Sequence, residues 1–74
     1  MNFINFEFEM QRAKRMTSEN PDYWVGYQMG LLRNYYGEIS GGDKEHRDWL
    51  GKIESRNKYT KEQGRGYLDG FNYS

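Results

Sequence analysis

Cysteine is absent from this 74-residue chain, which excludes a disulfide framework, a thiolate nucleophile and a cysteine-based zinc site. Small secreted domains usually need such staples, so a reducing cytoplasm is the expected setting. Long apolar runs are missing as well. Nothing approaches the ~18–20 residues of a membrane span, and Met1-Asn2-Phe3-Ile4-Asn5-Phe6-Glu7 lacks the basic start and apolar stretch of a signal peptide. The charge also cancels, 11 Lys+Arg against 11 Asp+Glu. The totals therefore indicate neither a strongly basic nucleic-acid binder nor a strongly acidic mimic of DNA.

Aromatic residues are what the chain has in excess. Hydrophobic content of 35% and a mean hydropathy of −1.17 would suit a disordered chain, but 18% aromatics and balanced charge do not. Each ring buries roughly 150–250 Å², so a few can replace many aliphatics. The expectation is one compact domain, 1–74, with a small aromatic core.

Periodicity predicts an all-α fold, a small bundle of three to four helices around a central aromatic, glycine-rich helix. Residues 1–20 form an N-terminal helix and connection, and 21–71 form the helical core. Phe3, Phe6, Met10 and Ala13 follow helical spacing over Phe3–Met16. Asn20-Pro21 reads as an N-cap followed by a first-turn proline, opening a helix to Tyr36 that Gly37 stops. Its apolar residues spread almost all round, as in a central helix. A third helix is expected over Asp43–Ser55, after a weak capping pattern in Ser40-Gly41-Gly42-Asp43, with His46, Trp49, Leu50 and Ile53 inward. Asp43/Arg47, Lys44/Asp48 and Asp48/Lys52 would pair on its wet side. The capping box Thr60-Lys61-Glu62-Gln63 predicts a last helix over Thr60–Phe71, facing inward with Tyr67, Leu68 and Phe71. A frayed tail, Asn72-Tyr73-Ser74, would follow.

One unit occurs twice: Gly26-Tyr27-Gln28-Met29-Gly30-Leu31 and Gly66-Tyr67-Leu68-Asp69-Gly70-Phe71. Glycine inside a helix costs about 0.5–1 kcal/mol relative to alanine, so two such pairs must be offset by close packing. The expected role is helices approaching each other, or a ring, more closely than a Cβ allows. The functional alternative is a bare groove that accepts a partner's side chain.

Candidate chemistry is sparse. His46 is the sole histidine, which leaves metal binding without a second imidazole and makes a core-edge role the expectation. No catalytic, cofactor-binding or metal-binding residue is assigned. The acidic pairs offer no shared site, because Glu7 and Glu9 diverge on a helix and Asp22, Asp43 and Glu62 occupy first turns. The basic stretch Lys52, Arg56, Lys58, Lys61 and Arg65, with Tyr59 among them, could track a nucleic-acid backbone. A helix-turn-helix reading suffers from glycines 64, 66 and 70 in the would-be recognition helix.

Tyr23-Trp24-x-Gly26-Tyr27-x-x-Gly30-Leu31, Glu45-His46-x-x-Trp49 and Gly64-Arg65-Gly66-Tyr67-x-x-Gly70-Phe71 together resemble a layout found in short bacterial and phage proteins. In size and style the chain also resembles anti-CRISPR inhibitors as a class. That resemblance implies a non-enzymatic protein that occupies a functional surface of a CRISPR effector or a similar larger protein or ribonucleoprotein, without membrane contact. Its neutrality departs from the acidic members of that class. The anchors expected to bind are Tyr36, Arg56, Tyr59 and Arg65, with Glu38, Glu7 or Glu9 available for a basic partner surface. A homodimer is the further expectation for so small a core. The alternative is a small nucleic-acid-binding regulator using residues 52–65.

Overall fold

Asparagine opens three of the four α-helices. In the computed structural model, which describes residues 1–74, Asn2 caps α1 (Phe3–Met16), its side chain accepting from the Asn5 N–H at 2.8 Å. Asn20 caps α2 (Pro21–Tyr36), with Pro21 in the first turn, and Gly37 ends it at φ +67°, a conformation open to glycine. A 3₁₀ turn over Gly37–Ser40 leads to α3 (Asp43–Gly51). A second 3₁₀ turn, Lys52–Glu54, precedes α4 (Lys58–Phe71).

Several local expectations need correction. The third helix is shorter than expected: it tightens at Lys52 because the Lys52–Ile53 backbone seats directly on Gly64, where a Cβ would lie 2.6 Å from the Ile53 nitrogen. The last helix starts two residues early. Asn57, not Thr60, caps it by accepting from the Tyr59 and Thr60 N–H groups. Gln63 is unavailable for a capping box because its amide donates to Asp22 of α2 at 2.9 Å. At α3 no side chain caps; Gly42 holds the N-cap position. Of the three expected ion pairs only Lys44–Asp48 forms, while Asp43 turns to Arg33 of α2. The tail is tied down, since the Asn34 amide donates to the carbonyls of Phe71 and Tyr73 at 2.7 and 2.8 Å.

The helices lie as a row. α1 packs on α2, α2 on α4, and α4 on α3 and its trailing 3₁₀ turn. The Cα envelope measures 36 × 29 × 16 Å, only slightly thicker than one helix of ~10–12 Å diameter. The glycine- and aromatic-rich α2 is thus central, but it shares the centre with α4.

These two helices meet through the repeated unit. A Cβ on Gly26 would strike the Gln63 backbone, and one on Gly66 the Tyr23 backbone. One on Gly30 would strike Tyr67 and Phe71, and one on Gly70 Tyr27 and Leu31. Shifting every number by forty exchanges the members of each set. Contact positions rise together along both helices, so α2 and α4 run parallel and meet about a pseudo-two-fold axis between them. The glycines therefore serve close backbone packing, as their cost requires.

The outer helices follow the same offset. Phe6, Glu9 and Ala13 of α1 face α2, and His46, Trp49 and Ile53 hold the matching places beside α4. Phe6, Ala13, Tyr27 and Leu31 form the main cluster. Tyr67, only 2% exposed, is the centre of the other half, with Trp49 stacked on it at 5.3 Å.

Candidate functional site

Each half carries a buried tyrosine hydroxyl pinned by its outer helix. The Tyr27 hydroxyl donates to Glu9 Oε1 at 2.8 Å, and Arg12 Nη2 donates to the same oxygen at 2.9 Å. Arg12 also lies 5.1 Å from the Trp24 ring centroid. The Arg12 hydrogen bond, helped by Tyr27, holds the Glu9 carboxyl below its usual range despite burial. Burial foremost, then Glu9, pushes Tyr27 up to about 12. Glu9 is accordingly an internal ionic pin, and its side chain is withdrawn from any partner.

In the other half, His46 Nδ1 lies 2.7 Å from the Tyr67 hydroxyl, and the imidazole packs on Phe71 at 4.5 Å. His46 sits at the core edge, half-buried. Arg33, Ser40, Glu45, Trp49 and Tyr67 are among the residues lining a small pocket beside it, with about 10 Å³ of free volume, the room of one water. Burial raises the Tyr67 hydroxyl, Arg33 pulling it down and Glu45 pushing it up. No group of three or more His, Cys, Asp or Glu is placed to hold a metal ion, and no helix is long and apolar enough to cross a membrane.

Helix direction gives the molecule two poles. The ends of α1 and the Lys52–Glu54 turn meet the starts of α2 and α4 at one of them, gathering Lys14, Arg15, Lys52, Arg56, Lys58 and Lys61 against Glu19, Asp22, Glu54 and Glu62, a modest basic excess. Arg56 is exposed there, and Tyr59 is 58% exposed with the Lys58 ammonium 5.5 Å from its ring centroid. Arg65 lies farther along α4, donating to Glu62 at 2.7 Å. The opposite pole collects the starts of α1 and α3 and the end of α2. Tyr36 stands there half-exposed, edge-on to Phe6 and Tyr35, beside exposed Glu38 and a 93% exposed Ile39. Phe3 packs against Tyr35 at the same pole and is itself largely exposed.

The five expected anchors therefore split. Tyr36 and Glu38 belong to the apolar pole, while Arg56 and Tyr59 belong to the basic pole and Arg65 sits beside it. Reading residue by residue passed over Ile39, Ile4 and Phe8. For Ile4 and Phe8 the signal was present: on a 100° wheel they lie opposite Phe6, Glu9 and Ala13, so a helix that buries the latter must expose the former.

No protein-family model, curated protein or solved structure matches this chain.

Proposed function

We propose that this protein acts without catalysis, by docking its apolar pole on a larger bacterial protein or ribonucleoprotein and blocking it. A CRISPR effector complex is the first target to test. The observation that carries the reading is the chain segment Tyr36–Ile39. It leaves a tyrosine half-exposed and an isoleucine 93% exposed directly after the most apolar helix. Large side chains held by a capped helix and a 3₁₀ turn are ready-made anchors, because little ordering entropy is lost on binding. The pocket beside His46 has room for one water, which favours surface contact over substrate turnover. Glu38 gives the pole an acidic neighbour suited to the basic surfaces of nucleic-acid-processing assemblies.

The test is capture from bacterial lysate and co-elution with purified effector complexes, comparing wild type with Ile39→Asp and Tyr36→Asp. Ile39→Asp should keep the wild-type unfolding midpoint, since surface changes usually stay within about 0.5 kcal/mol, whereas Tyr36→Asp also loses ring contacts with Phe6 and Tyr35 and is used only where circular dichroism shows it folded. Each should lose binding at least about tenfold, the equivalent of roughly 1.4 kcal/mol. A wild-type chain that retains nothing the Ile39→Asp chain loses would refute the proposal.

A second reading follows from the basic pole, where Arg56, Lys58, Tyr59 and Lys61 project from one end. As a nucleic-acid-binding regulator the chain would bind free DNA or RNA with affinity falling steeply as salt rises. Arg56→Gln with Lys61→Gln would reduce that slope. Binding to free nucleic acid with this slope, unaffected by Ile39→Asp, decides for the second reading.

A further inference from the structure

The two edges of the helix row differ in a way the scaffold does not require. On α3, the outward positions 44 and 48 hold Lys44 and Asp48, joined by a 2.9 Å ion pair. Forty residues earlier, the matching positions on α1 hold Ile4 and Phe8, 76% and 63% exposed. Both edges face away from the row and need nothing for folding, and the α3 edge shows what a solvated one looks like. Ile4 and Phe8 form an i,i+4 apolar pair with no cover inside the molecule.

We infer that the α1 edge pairs with the α1 edge of a second copy, antiparallel, extending the row across a two-fold axis. Charge complementarity argues for a second copy in the antiparallel direction. Glu7 and Lys14 are two turns apart on one flank of the apolar pair and both are exposed. Antiparallel α1 helices crossing near residues 10–11 set Glu7 beside the second copy's Lys14, and the reverse, twice over. In a parallel pair the two-fold runs along the helices and puts these flanks on opposite sides of the seam, so the Glu7–Lys14 pairs do not form. In the antiparallel register exposed Gln11 sits at the crossing, each Phe8 lies one turn from it toward its own N-terminus, and the aliphatic stem of Arg15 covers the second copy's Ile4.

Area sets the strength. The exposed parts of Ile4 and Phe8, with Phe3 at the margin, offer roughly 300–400 Å² of apolar surface per copy. Two copies give about 700 Å² before the polar flanks are added, below the ~1,200 Å² of a standard stable interface. The dimer is therefore weak and concentration-dependent, a micromolar-to-millimolar equilibrium. It is centred on a different surface from the Tyr36–Ile39 pole and meets that pole only at Phe3, so Phe8→Asp and Ile39→Asp make the two proposals fail separately.

Sedimentation equilibrium from micromolar to millimolar protein tests it, with circular dichroism confirming that each variant is folded. Wild type should show a reversible monomer–dimer equilibrium that Phe8→Asp abolishes. Glu7→Lys alone and Lys14→Glu alone should each weaken it by about tenfold or more, the scale of one lost charge pair turned repulsive. The double variant E7K/K14E should return to within about threefold of wild type, because the swap restores every pair. A wild-type chain monomeric up to millimolar concentration overturns the inference. So does a dimer indifferent to Phe8→Asp, or one that the double swap fails to rescue.

Discussion

Replacing Gly66 with alanine isolates the contact on which the fold rests. In an unpacked helix this substitution stabilises by about 0.5–1 kcal/mol. Here the added Cβ would meet the Tyr23 carbonyl oxygen, with the carbonyl carbon at 2.8 Å and the Tyr27 nitrogen at 2.9 Å. These are backbone atoms and cannot rotate aside, so α2 and α4 must move apart along their whole contact. Overpacking costs typically 1–3 kcal/mol, and a backbone obstacle belongs at the upper end. After the propensity gain, a net loss of about 2–2.5 kcal/mol is expected. A 74-residue domain has roughly 4–11 kcal/mol in total, at about 0.05–0.15 kcal/mol per residue, so the variant should be folded but visibly weakened. Gly26→Ala, its counterpart across the pseudo-two-fold, should cost a similar amount. The double variant should cost less than the sum, because helices already separated by one methyl leave room for the other. Gly51→Ala is the control: it is helical at φ −62° with nothing within 4 Å of an added Cβ, and should stabilise by up to about 1 kcal/mol. Urea unfolding followed by far-ultraviolet circular dichroism measures all four. A Gly66→Ala midpoint at or above wild type, or a Gly51→Ala loss as large as that at Gly66, would refute the close-packing account.

Three further outcomes follow from the capping and the ionic pin. Asn57→Ala should cost about 1 kcal/mol in urea unfolding, whereas Thr60→Ala should stay within about 0.5 kcal/mol; the opposite ranking would put the α4 start at Thr60. Glu9 is held below its usual range when folded, so its stabilising contribution is complete above the unfolded carboxylate value near 4.3. That contribution is lost as pH falls through the lower folded value, and thermal melts of Glu9→Gln should show a shallower acid slope than wild type. Tyr27 is raised from 10 to about 12, so its contribution is complete below pH 10 and is lost as pH rises toward 12. Tyr27→Phe should flatten that part of the alkaline limb, read by the same melts.

Much of the fold was legible because local chemistry sufficed to write it. Asn20-Pro21 and Gly37 bracket α2, and the helical spacing of Phe3, Phe6, Met10 and Ala13 gives α1, with the bounds found. The glycine units announced close packing, but their pattern is the same for parallel and antiparallel neighbours, so helix direction was not readable. Direction depends on the crossover through Gly37–Asn57, whose path is set by Gly64 against the Lys52–Ile53 backbone and by Tyr67 against His46 and Trp49. The Thr60 box misled for a similar reason, since Gln63 finds Asp22 only after α2 and α4 have met. Glu9 looked like a surface acid beside Glu7, and nothing local says that Tyr27 will be eighteen residues away in sequence and 2.8 Å away in space. The expected anchors were chosen by residue type, and only the helix directions show that they belong to different ends.

The forty-residue offset also supplies an internal standard for judging which side chains serve the scaffold. Where the halves agree, at Gly26 and Gly66, Gly30 and Gly70, and Tyr27 and Tyr67, the residues are buried and their partners reciprocal. Packing alone accounts for them. Where the halves differ at inward-facing positions, as with buried Phe6 and half-buried His46, each residue still meets its own half's rings. The disagreements that packing leaves unexplained are the exposed ones. Ile4 and Phe8 stand where Lys44 and Asp48 pair, and a flat row of helices gives both edges the same access to water. Burial cannot favour isoleucine over lysine at a site three-quarters exposed, so the scaffold sets no preference for the apolar pair there. The proposed second copy supplies such a preference, since α1 carries on one flank the opposite charges that an antiparallel identical helix would match.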